Sequence, residues 1–184
     1  MNLEKTSKQY DDVIKTCRDL FVKKLNDYGA SWRILRPVSL TDQIFIKAKR
    51  IRSIETTGKS MVGDDMYGEF VAIVNYGVIG LIQLQYGCAD TIDMDTETAL
   101  HLYDDYIQQA KQLMMRKNHD YGEAWREMRV ESYTDLILTK TCRTKQIEDH
   151  AGITIASEGI DANYFDMINY AVFALIRHNE SMVK

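Results

Sequence analysis

Apolar residues recur every three to four positions between about Ser7 and Tyr28, through Val13, Cys17, Leu20 and Phe21. The same spacing returns between about Thr96 and Tyr121, through Ile107, Ala110, Leu113 and Met114. That period gathers the apolar side chains on one face of a helix. Gly29 and Gly122 follow directly, where a left-handed residue commonly closes a helix. Second helices are predicted over about 40–57 and 133–150, and third helices over about 65–86 and 158–179. Ser39 and Ser132 read as N-caps, with Asp42 and Asp135 in the first turn, facing the positive helix end. Gly-containing links at 58–64 and 151–157 separate the second and third helices, and residues 87–95 form a linker.

The two runs are copies of one unit. Shifting the chain by 93 positions lays residues 10–55 over 103–148 without a gap, with 20 identities in 46 positions. Chance would give about three, so the chain carries an internal duplication. The predicted fold is therefore all-α: two tandem three-helix repeats, over 1–87 and 96–184, forming a pseudo-twofold bundle that packs as one globular unit. The third helices are the most apolar and belong at its centre. The chain would then imitate a homodimer fused into one polypeptide.

What the copies share is mostly polar. Tyr10-Asp11-Asp12 recurs as Tyr103-Asp104-Asp105, and Ser39, Thr41 and Asp42 as Ser132, Thr134 and Asp135. Glu55 recurs as Glu148, and Asn75-Tyr76 as Asn169-Tyr170 after a one-residue slip. A duplication kept for packing alone should share apolar positions first.

Composition narrows the classes. Apolar residues are 45% of the chain, enough for a hydrophobic interior, and a single proline, Pro37, suits long helices. The net charge is −4 with no basic block, so no binding to nucleic acid is expected. The polar N-terminus has no signal-peptide core, and Phe70–Leu84 is too interrupted for a membrane span. Three cysteines without CxxC spacing argue against a disulfide framework or a zinc site and favour a reducing cytoplasm. The four histidines form no ligand pair at helical spacing.

Three constellations could carry chemistry. The first is D-Y-G-x-x-W-R, as Asp27, Tyr28, Gly29, Trp32, Arg33 and again Asp120, Tyr121, Gly122, Trp125, Arg126. The aromatics offer flat faces to a nucleobase and the arginines a planar fork to phosphate. Equally, Trp could anchor the loop, Gly cap the helix and Asp bond backbone amides. The second is K-x-x-R, as Lys47 with Arg50 and Lys140 with Arg143, which places two cations on one helix face. It reads as a phosphate-binding face or a solvated stripe.

The third is acidic: Glu148, then Glu158, Asp161, Asp166 and Asn169. At about 100° per residue, Glu158 and Asn169 differ by about 20°, with Asp161 and Asp166 about 60° and 80° to either side. Carboxylates on an otherwise apolar helix call for a cation: Mg²⁺ held against a phosphate, or ion pairs with Lys140 and Arg143. The first repeat has Asp64, Asp65 and Glu69, but Ala72 stands where the second has Asp166. No P-loop, nucleophile elbow or Rossmann fingerprint occurs.

These strings, together with S-E-G-I-D-A-N-Y at 157–164, resemble the nucleotide modification associated domain 1 family over nearly the whole chain. The resemblance implies a link to nucleotide or modified-base metabolism. A looser resemblance is to the all-alpha NTP pyrophosphatases of the MazG and dimeric dUTPase type. Those hold Mg²⁺ with E-x-x-E and E-x-x-D pairs. Glu158 and Asp161 match the second pair, whereas Lys140-x-x-Arg143 stands on the second helix in place of the first.

The expectation is therefore a binder of a small-molecule nucleotide that acts as a Mg²⁺-dependent phosphohydrolase. In it Glu148, Glu158 and Asp166 are catalytic, Glu158, Asp161 and Asp166 bind metal, and the two D-Y-G-x-x-W-R loops, the two K-x-x-R faces and Asn169 hold substrate. The alternative is a non-catalytic nucleotide-binding or scaffold module. Pairing into a homo-oligomer is open in both cases.

Overall fold

The computed structural model describes residues 3–60, 65–156 and 158–182. Among them are six helices: α1 (Leu3–Tyr28), α2 (Pro37–Thr57), α3 (Met66–Tyr86), α4 (Thr96–Tyr121), α5 (Val130–Asp149) and α6 (Ile160–Met182). A short 3₁₀ turn follows the first helix of each repeat, at Ser31–Ile34 and Ala124–Glu127. Gly29 and Gly122 stand just past α1 and α4 with φ of 64° and 62°, the left-handed geometry that only a residue without Cβ adopts freely. Asp95 caps α4 through the Thr98 amide. Asp64 and Ser157 lie outside the described residues.

The second helices start earlier than predicted. Arg36 and Arg129 occupy the N-cap positions of α2 and α5, with no side-chain cap. Ser39 and Ser132 sit inside the first turn, their amides bonded to the Arg36 and Arg129 carbonyls. Pro37 at the first helical position explains the shift in α2, since it fixes φ for the helix and lacks a donor the helix start cannot use. Asp42 and Asp135 accordingly lie beyond the first turn and answer to partners elsewhere.

The helices stack as three antiparallel pairs, each made of an element and its twin. The α3–α6 pair is central, with α2–α5 on one side and α1–α4 on the other. Helix α3 is apolar and long enough to cross a membrane by length and composition, and here it is a core helix. The central pair crosses closely because α3 offers two glycines. A Cβ on Gly77 would stand 2.6 Å from Ile168, and one on Gly80 2.2 Å from the Tyr164 ring. Helical glycine costs about 1 kcal/mol relative to alanine, so its use here marks the contact rather than the helix.

Polar residues of one repeat are satisfied by the other. Tyr10 on α1 donates to Asn169 on α6 at 2.9 Å, and Tyr103 on α4 donates to Asn75 on α3 at 2.8 Å. The two asparagines in turn donate to the Ala110 and Cys17 carbonyls. Thr41 donates to Glu148 at 2.6 Å, and Thr134 to Glu55 at 2.7 Å. Four ion pairs also cross between the repeats as twin sets: Arg18–Asp104 with Lys111–Asp11, and Lys145–Asp42 with Arg52–Asp135.

Replacing Gly80 by alanine should lower the urea midpoint, although alanine is the better helix former. Overpacking of this kind costs about 1–3 kcal/mol. An unchanged or higher midpoint would show that α3 and α6 can move apart without loss.

Candidate functional site

The two D-Y-G-x-x-W-R loops begin where α1 and α4 end. Trp32 and Trp125 turn inward and are 8% and 6% exposed. Trp125 stacks on Phe173 at 4.2 Å, nearly parallel. Both indole N–H groups are buried without a hydrogen-bond partner among the described residues. Tyr28 and Tyr121 remain on the surface, 50% and 74% exposed. Asp27 and Asp120 are also exposed. Asp120 meets only the neighbouring His119 ring, so neither aspartate serves as a brace for backbone amides.

The arginines do not face a ligand. Arg33 is 3% exposed and bonds Gln83, the Gly87 carbonyl and Asp93, just before α4. Arg126 lies over the Trp125 ring and bonds Thr6 and Gln9 of α1, and Glu180. Each therefore clamps the start of the other repeat's first helix, and the expectation that Arg33 and Arg126 grip phosphate is corrected. Gln83 and Arg177, at matching positions of α3 and α6, take the carbonyls of these loops.

Asn169 and Glu148 are corrected likewise. Asn169 lines a cleft, but its acceptor and its donor are engaged by Tyr10 and Ala110. Glu148 accepts from Thr41 across the α2–α5 contact. Burial raises the pKa of Glu148, and its twin Glu55 is raised for the same reason. Both act as hinge-line braces between repeats.

What remains forms two equivalent clefts. In the second repeat, α4, the loop and α6 enclose about 360 Å³, lined among others by Lys117, Tyr121, Trp125, Asp166 and Tyr170. In the first, Lys24, Tyr28, Trp32, Ala72 and Tyr76 line about 320 Å³. Lys24 and Lys117 share one register and were not expected as site residues. Their identity across the copies was the available signal, hidden among other surface lysines.

The cations divide unequally. Asp166 is buried and held by Lys117 and Lys140, each at 2.6 Å. Burial opposes the charge on Lys117, but the Asp166 hydrogen bond and charge outweigh it, and its pKa is raised. In the first repeat the buried carboxylate sits one helical turn earlier. Glu69 takes both Lys47, at 3.1 Å, and Arg50. Lys47 and Arg50 are thus committed internally. Arg143, their counterpart on α5, is exposed and makes no ion pair among the described residues. It lines a neighbouring cleft of about 630 Å³ with Lys140, His150, Glu158 and Asn163. The Lys140–Asp166 bridge joins that cleft to the aromatic one.

The residues do not fit a Mg²⁺ centre. Glu158 and Asp161 are exposed while Asp166 is buried between two ammonium groups. The described residues contain no group of three or more His, Cys, Asp or Glu side chains placed to hold a metal. Hard cations need several oxygen donors converging, which Glu158, Asp161 and Asp166 do not supply.

A duplicated all-α bundle with one aromatic and cationic cleft per repeat is the class of protein this geometry defines. The chain belongs to the nucleotide modification associated domain 1 family, which it matches twice, over residues 24–84 and 117–177. Each match starts at the cleft lysine and ends on the third helix, so it holds every cleft residue named above. No curated protein and no solved structure matches the chain.

Because burial raises the pKa of Glu55 and Glu148, each carboxylate when ionised disfavours the folded state. That cost is present in full above the folded pKa and disappears below the unfolded value of about 4.3. The E55Q/E148Q double variant, which keeps the acceptor for each threonine, should therefore melt higher than the parent at pH 7.5. The gap should close as the pH falls towards 4. A gap that widens on acidification would reverse the assignment.

Proposed function

We propose that the chain binds a nucleoside phosphate in the second repeat, with the base in the aromatic cleft and the phosphate towards Lys140 and Arg143. One observation carries this reading: Lys117 and Lys140 hold the buried carboxylate Asp166, and Arg143 lines the adjoining cleft, beside the aromatic side chains of Tyr121 and Tyr170. Planar bases stack on such side chains, and a guanidinium without an internal partner is free for phosphate. Asp166, fixed by two lysines, can accept from a base amino group or a sugar hydroxyl. The family name supports a role in nucleotide metabolism.

Binding is favoured over metal-assisted hydrolysis, because Glu158, Asp161 and Asp166 do not converge on one ion. The protein would then act as a nucleotide-responsive module.

The test is thermal unfolding with a panel of ordinary and modified nucleoside mono- and triphosphates at millimolar concentration, with and without Mg²⁺. A ligand at ten times its Kd stabilises by about 1.4 kcal/mol, a shift of about 3–5 °C for a chain of this size. Arg143→Ala should remove most of the shift without lowering the ligand-free melting temperature. No shift with any nucleotide would defeat the proposal. Sustained release of phosphate or pyrophosphate, lost in Asp166→Ala, would overturn the preference for binding over hydrolysis.

A further inference from the structure

The first-repeat cleft is built from the same positions as its twin but with different chemistry. Ala72 occupies the place of Asp166, so Lys24 has no carboxylate facing it and makes no ion pair among the described residues. The carboxylate of that repeat, Glu69, lies one turn away and is paired with Lys47 and Arg50. Most of the lining is apolar or aromatic, including Leu20, Phe21, Trp32, Tyr76 and Ile79.

The cleft lacks two partners. A lysine at the position where the second repeat forms a 2.6 Å ion pair has no counter-charge. The Trp32 N–H beside it is buried with no acceptor among the described residues. The volume of about 320 Å³ is at the small end of ligand sites, which start near 300 Å³. It suits one or two fused rings and is too small for a nucleoside polyphosphate.

We propose that the first-repeat cleft is a second, separate binding site, for a small planar aromatic molecule carrying one anionic group. The anion takes the place at Lys24 that Asp166 takes at Lys117, and the aromatic ring packs on the apolar lining. The two repeats thus read different ligands with one frame. In the second the protein supplies the anion, and in the first the ligand does.

The probe is 2-naphthoate, with 2-naphthamide as its neutral counterpart, titrated calorimetrically into the full chain. Naphthoate should bind one-to-one, up to about fivefold more tightly than the amide, the discrimination a solvent-screened ion pair at an exposed lysine provides. Lys24→Ala, at an exposed side chain, should abolish that preference while the protein keeps its melting temperature. Ala72→Asp should supply the missing carboxylate to Lys24 and exclude naphthoate. Arg143→Ala, which does not line this cleft, should leave naphthoate binding intact, so this proposal and the nucleotide reading fail separately. Equal affinity for acid and amide, or naphthoate binding unchanged in both Lys24→Ala and Ala72→Asp, would overturn it.

Discussion

Two asparagines on the most apolar helices constrain everything around them. A buried amide that lacks partners costs more than a hydrogen bond normally contributes, so Asn75 and Asn169 each need a donor and an acceptor delivered to the core. Tyr103 and Tyr10 deliver the donors from the other repeat, and the Cys17 and Ala110 carbonyls complete each set. That exchange fixes where α1 and α4 lie on the central pair. Their register then fixes where the two loops leave the bundle, and hence where the clefts open. Burial around the exchange pushes the Cys17 thiol up to about 12, which marks it as an inert core group.

The helices were legible from their period, and the centrality of α3 and α6 from their hydropathy. The capped ends were legible where glycine follows the helix, and misread where Pro37 starts one. The site was harder, because recurrence between copies has two causes that look alike in a sequence. A residue can recur because both sites use it on a ligand, or because each copy needs it against the other. Arg33, Arg126, Asn169 and Glu148 belong to the second kind. Their partners outside their own repeat lie 60 to 159 positions away, beyond any window that periodicity scans. Asp27, Tyr28, Asp120 and Tyr121 recur without a partner in the other repeat among the described residues, and only coordinates separate them from the rest.

Comparing the clefts with each other also changes what the acidic stripe means. Helical angles place Glu158, Asp161 and Asp166 near one face, but Glu158 precedes α6, which starts at Ile160 rather than 158, and angle says nothing of depth. Asp166 points into the bundle and Asp161 out of it. The buried carboxylate is a counter-ion for lysines, and its one-turn displacement between Glu69 and Asp166 decides which cations stay available. In the first repeat that displacement consumes the K-x-x-R pair. In the second it leaves Arg143 open.

The exchange of carboxylate positions has a consequence for how such a protein can change over time. In a dimer of identical subunits every substitution enters both sites at once, so an aspartate lost beside one lysine is lost beside the other. Joining the copies in one chain removes that coupling. Ala72 and Asp166 can differ because they are separate codons, while the reciprocal Tyr–Asn contacts still hold both halves to one geometry. Fusion thus keeps the frame symmetric and lets the ligands diverge.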